Sequence, residues 1–219
     1  MPARLRCLIV PTLAFLAAAP ALAGSAYKVE VDYSAAPECE AFALKAKAIA
    51  EEWYPKINAI LFGQGHPLPA ATIRLKFEPM KGVAHATHDG IHISAEWVTK
   101  KAPGDYGMVV HELTHVVQDY QGKGEFWLTE GIADYVRYER YEPGTQKWKL
   151  DPAKSSYKQG YGIAGAFLGW LETRKDKDIV RKLNMAAHDG KYTPALFKES
   201  CGTELDALWK EYVETRRQP

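Results

Sequence analysis

Cysteine is nearly missing from this chain. There are three in 219 residues, and Cys7 stands in a segment that reads as an export signal. Cys39 and Cys201 are too few and too far apart in sequence for a cysteine-based zinc site. In an exported chain they either pair, closing a loop worth about 4–5 kcal/mol, or stay as separate buried thiols, and the sequence leaves both readings open. An excess of charge is lacking too: 28 Lys and Arg face 27 Asp and Glu. That balance gives no argument for nucleic acid or an anionic membrane as partner. Repeats, low-complexity tracts and linkers are also missing. No stretch approaches the ~20 apolar residues that a membrane helix needs.

What is present begins with a three-part leader. Met1–Arg6 carries two arginines and no acid, Cys7–Ala18 is apolar apart from Pro11 and Thr12, and Ala21-Leu22-Ala23 has the small-x-small pattern of a cleavage site. A signal peptide is expected over residues 1–23, with one domain over 24–219. Cleavage near Ala23 removes Arg4 and Arg6 and no acid, turning a formal charge of +1 into −1. The mature chain is expected to be secreted or periplasmic, monomeric and not inserted in a membrane.

Alternation marks Tyr27–Tyr33 and Thr72–Phe77 as strands. Between them a helix is expected from Cys39 to about Phe62, closed by Gly63, with a kink or break at Pro55. Val83–Thr87 and Ile91–Ser94 flank the turn signal His88-Asp89-Gly90 and read as a hairpin. Ile91–Ser94 is the expected edge for an added peptide strand. Helical patterns follow at Met108–Tyr120, ended by Gly122-Lys123-Gly124, and at Phe126–Tyr138. After a loop over Pro143–Ser156 come further helices at Tyr157–Glu172, Asp178–Ala187, Thr193–Ser200 and Thr203–Thr215. The fold class is α+β: a small N-terminal mixed sheet with an edge strand over a metal-binding helix, then a helical C-terminal part.

The chemistry concentrates in His111-Glu112-Leu113-Thr114-His115, an H-E-x-x-H motif. At about 100° per residue, Leu113, Val116, Val117 and Tyr120 fall on the side of Val109, and His111 and His115 on the other. Imidazoles four apart on a helix offer two nitrogens to one zinc ion, and Glu112 stands beside it to take a proton from water. Histidine is scarce, seven in the chain, so the pair is conspicuous. His85, His88 and His92 lack carboxylates or cysteines at matched spacing and read as solvated turn histidines rather than a second metal site.

A catalytic zinc takes three protein ligands and leaves one position open. Gln118 and Gln121 stand where the metzincin pattern requires glycine and histidine, so that pattern fails. Asp119 points toward the Glu112 side. Glu130 is the better third ligand. It shares a helix face with Asp134, four residues on, which can accept the N–H of a ligating histidine. Gly131 allows that helix to approach its neighbour closely.

With Trp127–Tyr135 (W-L-x-E-G-x-A-D-Y) after it, the motif resembles the gluzincin metallopeptidases, the thermolysin-like group whose third zinc ligand is a glutamate on a following helix. More closely the chain resembles the basic secretory protein family of plants and bacteria. The likeness is carried by Trp53-Tyr54-Pro55-Lys56-Ile57, Glu130–Arg137, Gly160-Tyr161 with Phe167-Leu168, and Leu205–Tyr212. It implies His111, His115 and Glu130 as zinc ligands, Glu112 as the catalytic carboxylate and Asp134 as the support of a ligand. For the oxyanion donor it offers two tyrosines. Tyr157-Lys158-Gln159-Gly160 resembles the Y-x-x-G segment of gluzincin aminopeptidases, and Tyr161 is the better match within the secretory family. The near-neutral charge departs from the family name.

The expected function is a secreted metallopeptidase with one Zn²⁺ and a peptide or protein substrate. The rival is a secreted zinc-containing binding protein without turnover. Glu112 speaks against the rival, because a pure binder has no use for that carboxylate.

Overall fold

The computed structural model describes residues 27–216 except 121, 123 and 147. The signal peptide expected over residues 1–23 lies outside the described residues. None of the described helices is long and apolar enough to cross a membrane.

The chain opens with strand β1 (Lys28–Asp32), helix α1 (Glu40–Phe62) and strand β2 (Thr72–Glu78). β1 and β2 pair in parallel, Val29 beside Ile73 and Val31 beside Leu75, with α1 as the long crossover that parallel strands require. Phe42, Ala46, Ala50, Tyr54, Ile57 and Leu61 form the buried stripe of α1, recurring at helical spacing. α1 runs through Pro55 without the break that was one of the two expectations there. Proline cannot donate to the carbonyl four residues earlier, which here belongs to Glu51. The Tyr27 hydroxyl donates to that carbonyl instead.

A hairpin follows, β3 (Ala84–Thr87) and β4 (Gly90–Ser94). The sheet order is β1-β2-β4-β3. β4 lies parallel to β2, Leu75 beside Ile91 and Phe77 beside Ile93, and antiparallel to β3. Ile91–Ser94 is therefore an inner strand, and the expectation that it forms an edge is corrected: the edge on this side is β3. Ile91 and Ile93 are fully buried, whereas β3 (Ala-His-Ala-Thr) has little apolar surface to bury and suits the rim.

After a wide helical turn at Trp97–Lys101, helix α2 (Gly107–Gln118) crosses the core. Val109, Val110, Leu113 and Val117 are fully buried. α2 stops four residues before the expected glycines. Asp119 takes a left-handed conformation (φ 38°) and its N–H returns to the His115 carbonyl at 3.3 Å, a role that Asp and Asn tolerate better than other L-residues.

Helix α3 (Phe126–Tyr135) continues into a wider helical turn, Val136–Tyr141. The expected single helix from Tyr157 is two pieces. Tyr157–Gln159 is one tight turn, capped where Ser156 Oγ accepts the Lys158 N–H and Gln159 Oε1 the Ser156 N–H. Gly160 (φ 72°) and Tyr161 (φ 46°) then redirect the chain into α4 (Tyr161–Arg174). α3 and α4 meet through glycines. A Cβ on Gly131 would stand 2.8 Å from that of Ala164, and one on Gly165 would stand 2.8 Å from the Tyr135 nitrogen and 3.0 Å from the Asp134 carbonyl carbon.

Helices α5 (Ile179–His188), α6 (Ala195–Cys201) and α7 (Leu205–Thr215) complete the helical half. Phe167 of α4 packs on Trp209 and Tyr212 of α7. Cys39 and Cys201 are free thiols, the first buried and the second half-buried, so the pairing reading does not hold in this structure. The chain thus has a mixed four-stranded sheet first and helices after it.

Candidate metal centre

α2 presents His111 and His115 one turn apart on the face away from Val109 and Leu113, and α3 presents Glu130 to them. Nε2 of His115 lies 3.1 Å from Nε2 of His111. Glu130 Oε2 lies 3.2 Å from His111 Nε2 and 3.6 Å from His115 Nε2. These three side chains are the cluster of potential metal ligands found among the described residues. His85, His88 and His92 do not form another. The His92 ring nitrogens face Glu78 Oε1 at 2.9 Å and Asp89 Oδ1 at 3.3 Å, and its ring stacks on His85.

Each ring is held from behind by its other nitrogen. Asp134, one turn after Glu130 on α3, sets Oδ1 at 2.6 Å from His111 Nδ1. Gln118 sets Oε1 at 2.7 Å from His115 Nδ1, and its Nε2 donates to the Thr129 carbonyl at 3.0 Å. Gln118 thus turns His115 and ties the last turn of α2 to α3. In the sequence Gln118 counted only as the missing glycine of another zinc motif. The signal that could have found it is its place three residues after His115 on the same helix. Arg137, the natural partner for an acidic face on α3, bonds neither Glu130 nor Asp134. It pairs with Asp105 and Glu142, both at 2.6 Å.

The three donors open onto a cleft of about 630 Å³, walled by α2, α3, Tyr161, Val83 and the β3 edge from Ala84 to Ala86. The profile of a family described as peptidase of plants and bacteria matches residues 21–212. The chain belongs to that family. No curated protein and no solved structure matches it.

In this peptidase Glu112 lines the cleft and is 7% exposed. Burial lifts its carboxyl above the usual carboxylate range, against the pull of both histidines. Burial also works against charge on His111, but hydrogen bonds to Asp134 and Glu130 outweigh it and raise that imidazole to about 9. For Glu130 burial raises and the two histidines lower, with the net value falling to about 2. Before any cation binds, His111 and Glu130 therefore form an ion pair.

The two candidate tyrosines part company. Tyr157 is 6% exposed, its ring edge-on to Trp127, and its hydroxyl donates to Asp206 at 2.8 Å. It belongs to the aromatic core under α7 and does not line the cleft. Tyr161 lines the cleft, half exposed, with its ring stacked 6.2 Å from that of His111. Its left-handed backbone is a conformation that non-glycine residues seldom adopt, and such strain gathers at functional positions. Gly160 must stay small beside it, since a Cβ there would come within 3.0 Å of Phe126 and 3.4 Å of Glu130.

Proposed function

We propose that the chain is a secreted zinc metallopeptidase of the gluzincin type, with His111, His115 and Glu130 as ligands. One observation carries this reading: two imidazole Nε2 atoms and one carboxylate oxygen converge with separations of 3.1, 3.2 and 3.6 Å. Ligands placed tetrahedrally at about 2.0–2.1 Å from zinc stand roughly 3.3–3.4 Å apart. The mixed nitrogen and oxygen donor set suits zinc, and three ligands leave one position for substrate chemistry.

A zinc ion bound there supplies positive charge that acidifies water and polarises a carbonyl. Glu112 takes the proton of the attacking water and passes it to the departing amine. The Tyr161 hydroxyl donates to the developing oxyanion. Asp134 and Gln118 keep both rings turned to the donor point. An extended peptide adds to the free edge of β3 by backbone hydrogen bonds, which brings its scissile bond over α2.

The test joins metal content to turnover. Purified protein should hold one zinc per chain and cleave casein or a peptide library, a chelator should abolish cleavage, and Glu112→Ala should keep zinc while losing activity. Zinc retained without cleavage of any peptide favours the rival, a secreted zinc-containing binding protein.

A further inference from the structure

On the other side of Arg137 and Tyr138 lies a second chamber of about 780 Å³. Val83, Arg137 and Tyr138 wall both spaces, so the two adjoin. Three side chains set the charge inside. Arg137 donates from Nη2 to Asp105 and from Nε to Glu142 Oε1, and the three side chains are 14–23% exposed. One guanidinium facing two shielded carboxylates leaves a net charge of minus one. Asp105 is further fixed by the Trp97 indole N–H at 2.9 Å and the Met108 N–H at 3.3 Å. Lys101 also lines the chamber, 53% exposed, and pairs with Glu96 outside it, so that pair adds no net charge. Trp97, Trp148 and Tyr138 give the chamber aromatic walls.

We propose that this chamber is a substrate subsite for a lysine or arginine side chain, a reading that rests on the peptidase assignment of the adjoining cleft. A long cationic side chain lays its methylenes on the tryptophans and brings its head to the surplus carboxylate. Cations are drawn to aromatic faces, most strongly to tryptophan, and a shielded carboxylate adds to the attraction. An acidic side chain meets the same surplus as repulsion, and a neutral one gains nothing from it. The chamber meets the metal cleft at Val83, just ahead of β3. A peptide running antiparallel to β3 carries its C-terminal half toward that end. The cationic residue therefore lies on the C-terminal side of the scissile bond.

The experiment maps cleavage sites in a diverse peptide mixture, then compares peptides that differ only in lysine against norleucine. At one position C-terminal to the cut, lysine or arginine should be preferred roughly tenfold. Glu142→Gln, verified as folded by its melting curve, should bring the lysine-to-norleucine ratio to within about twofold of one. Cleavage with no such preference overturns the subsite and leaves the peptidase reading standing, as does a preference that Glu142→Gln leaves unchanged. A binding arm uses Glu112→Gln protein and the same fluorescent peptide pair. Tighter binding of the lysine peptide without any cleavage by the wild type keeps the subsite and sinks the peptidase reading. Equal or absent binding sinks the subsite.

Discussion

Asp134 Oδ1 sits 2.6 Å from Nδ1 of His111, so a carboxylate on α3 fixes the ring of a histidine on α2. The neighbouring contact, Gln118 with His115, is made within α2 by a neutral amide. The two rings of the donor cluster thus have supports of unequal strength.

That inequality predicts unequal losses. Asp134→Ala should weaken zinc binding by about 10- to 100-fold, measured by competition with a chromophoric chelator. Gln118→Ala should weaken it less, because a neutral acceptor is lost rather than a charged one. Equal affinities for wild type and Asp134→Ala would remove this role for Asp134.

Tyr161→Phe should lower kcat by about 10²–10³-fold with zinc content unchanged, the size expected for loss of one oxyanion donor. Tyr157→Phe should leave kcat alone and cost about 1 kcal/mol of stability, from its lost bond to Asp206. Steady-state kinetics beside urea melts read both effects, and a kcat loss in the Tyr157 variant alone would reverse the choice of tyrosine.

The chelated protein should show a pH-dependent melting temperature. His111 is raised from 6.5 to about 9, so its contribution is complete below pH 6.5 and is lost as pH rises through 9. Glu130 is lowered from 4.5 to about 2, so its contribution is complete above pH 4.5 and is lost as pH falls through 2. These two groups favour stability most between those limits. Zinc competes with the His111 proton, so added zinc should raise the melting temperature more at pH 9 than at pH 6. Scanning calorimetry with and without chelator checks both signs. A chelated melting temperature that does not fall between pH 6 and 9 would contradict them.

Tyr27→Phe should destabilise the protein by about 0.5–1.5 kcal/mol, because the Glu51 carbonyl then has neither a Pro55 N–H nor a hydroxyl to bond. Adding Pro55→Ala should recover part of that loss by restoring a backbone donor. A double-mutant cycle reads the coupling, and independent effects would argue against it.

The sequence was most legible where periodicity and side-chain chemistry agree. The two faces of α2, the shared face of Glu130 and Asp134, and the turn between β3 and β4 all follow from spacing alone. It was least legible where distant parts of the chain decide. Nothing near Pro55 tells that Tyr27 supplies the missing donor. Nothing in Ile91–Ser94 tells that β2 covers its other side, although paired isoleucines beside a poor Ala-His-Ala-Thr strand are a hint. The break at Gly160 comes from the left-handed backbone of Gly160 and Tyr161, which helical spacing over Tyr157–Glu172 does not reveal. The partners of Arg137, Asp105 and Glu142, lie on segments that sequence alone does not bring together.

Gly165 offers no atom to any substrate or ion, yet its bare Cα lies against the backbone of Asp134 and Tyr135. Whatever pushes on that backbone swings the carboxylate that aims His111. A residue far downstream, with no chemistry of its own, thus sets the bearing of the His111 ring. Libraries of variants ranked by how firmly they keep zinc should place Gly165 beside the histidines, while rankings by solubility pass over it.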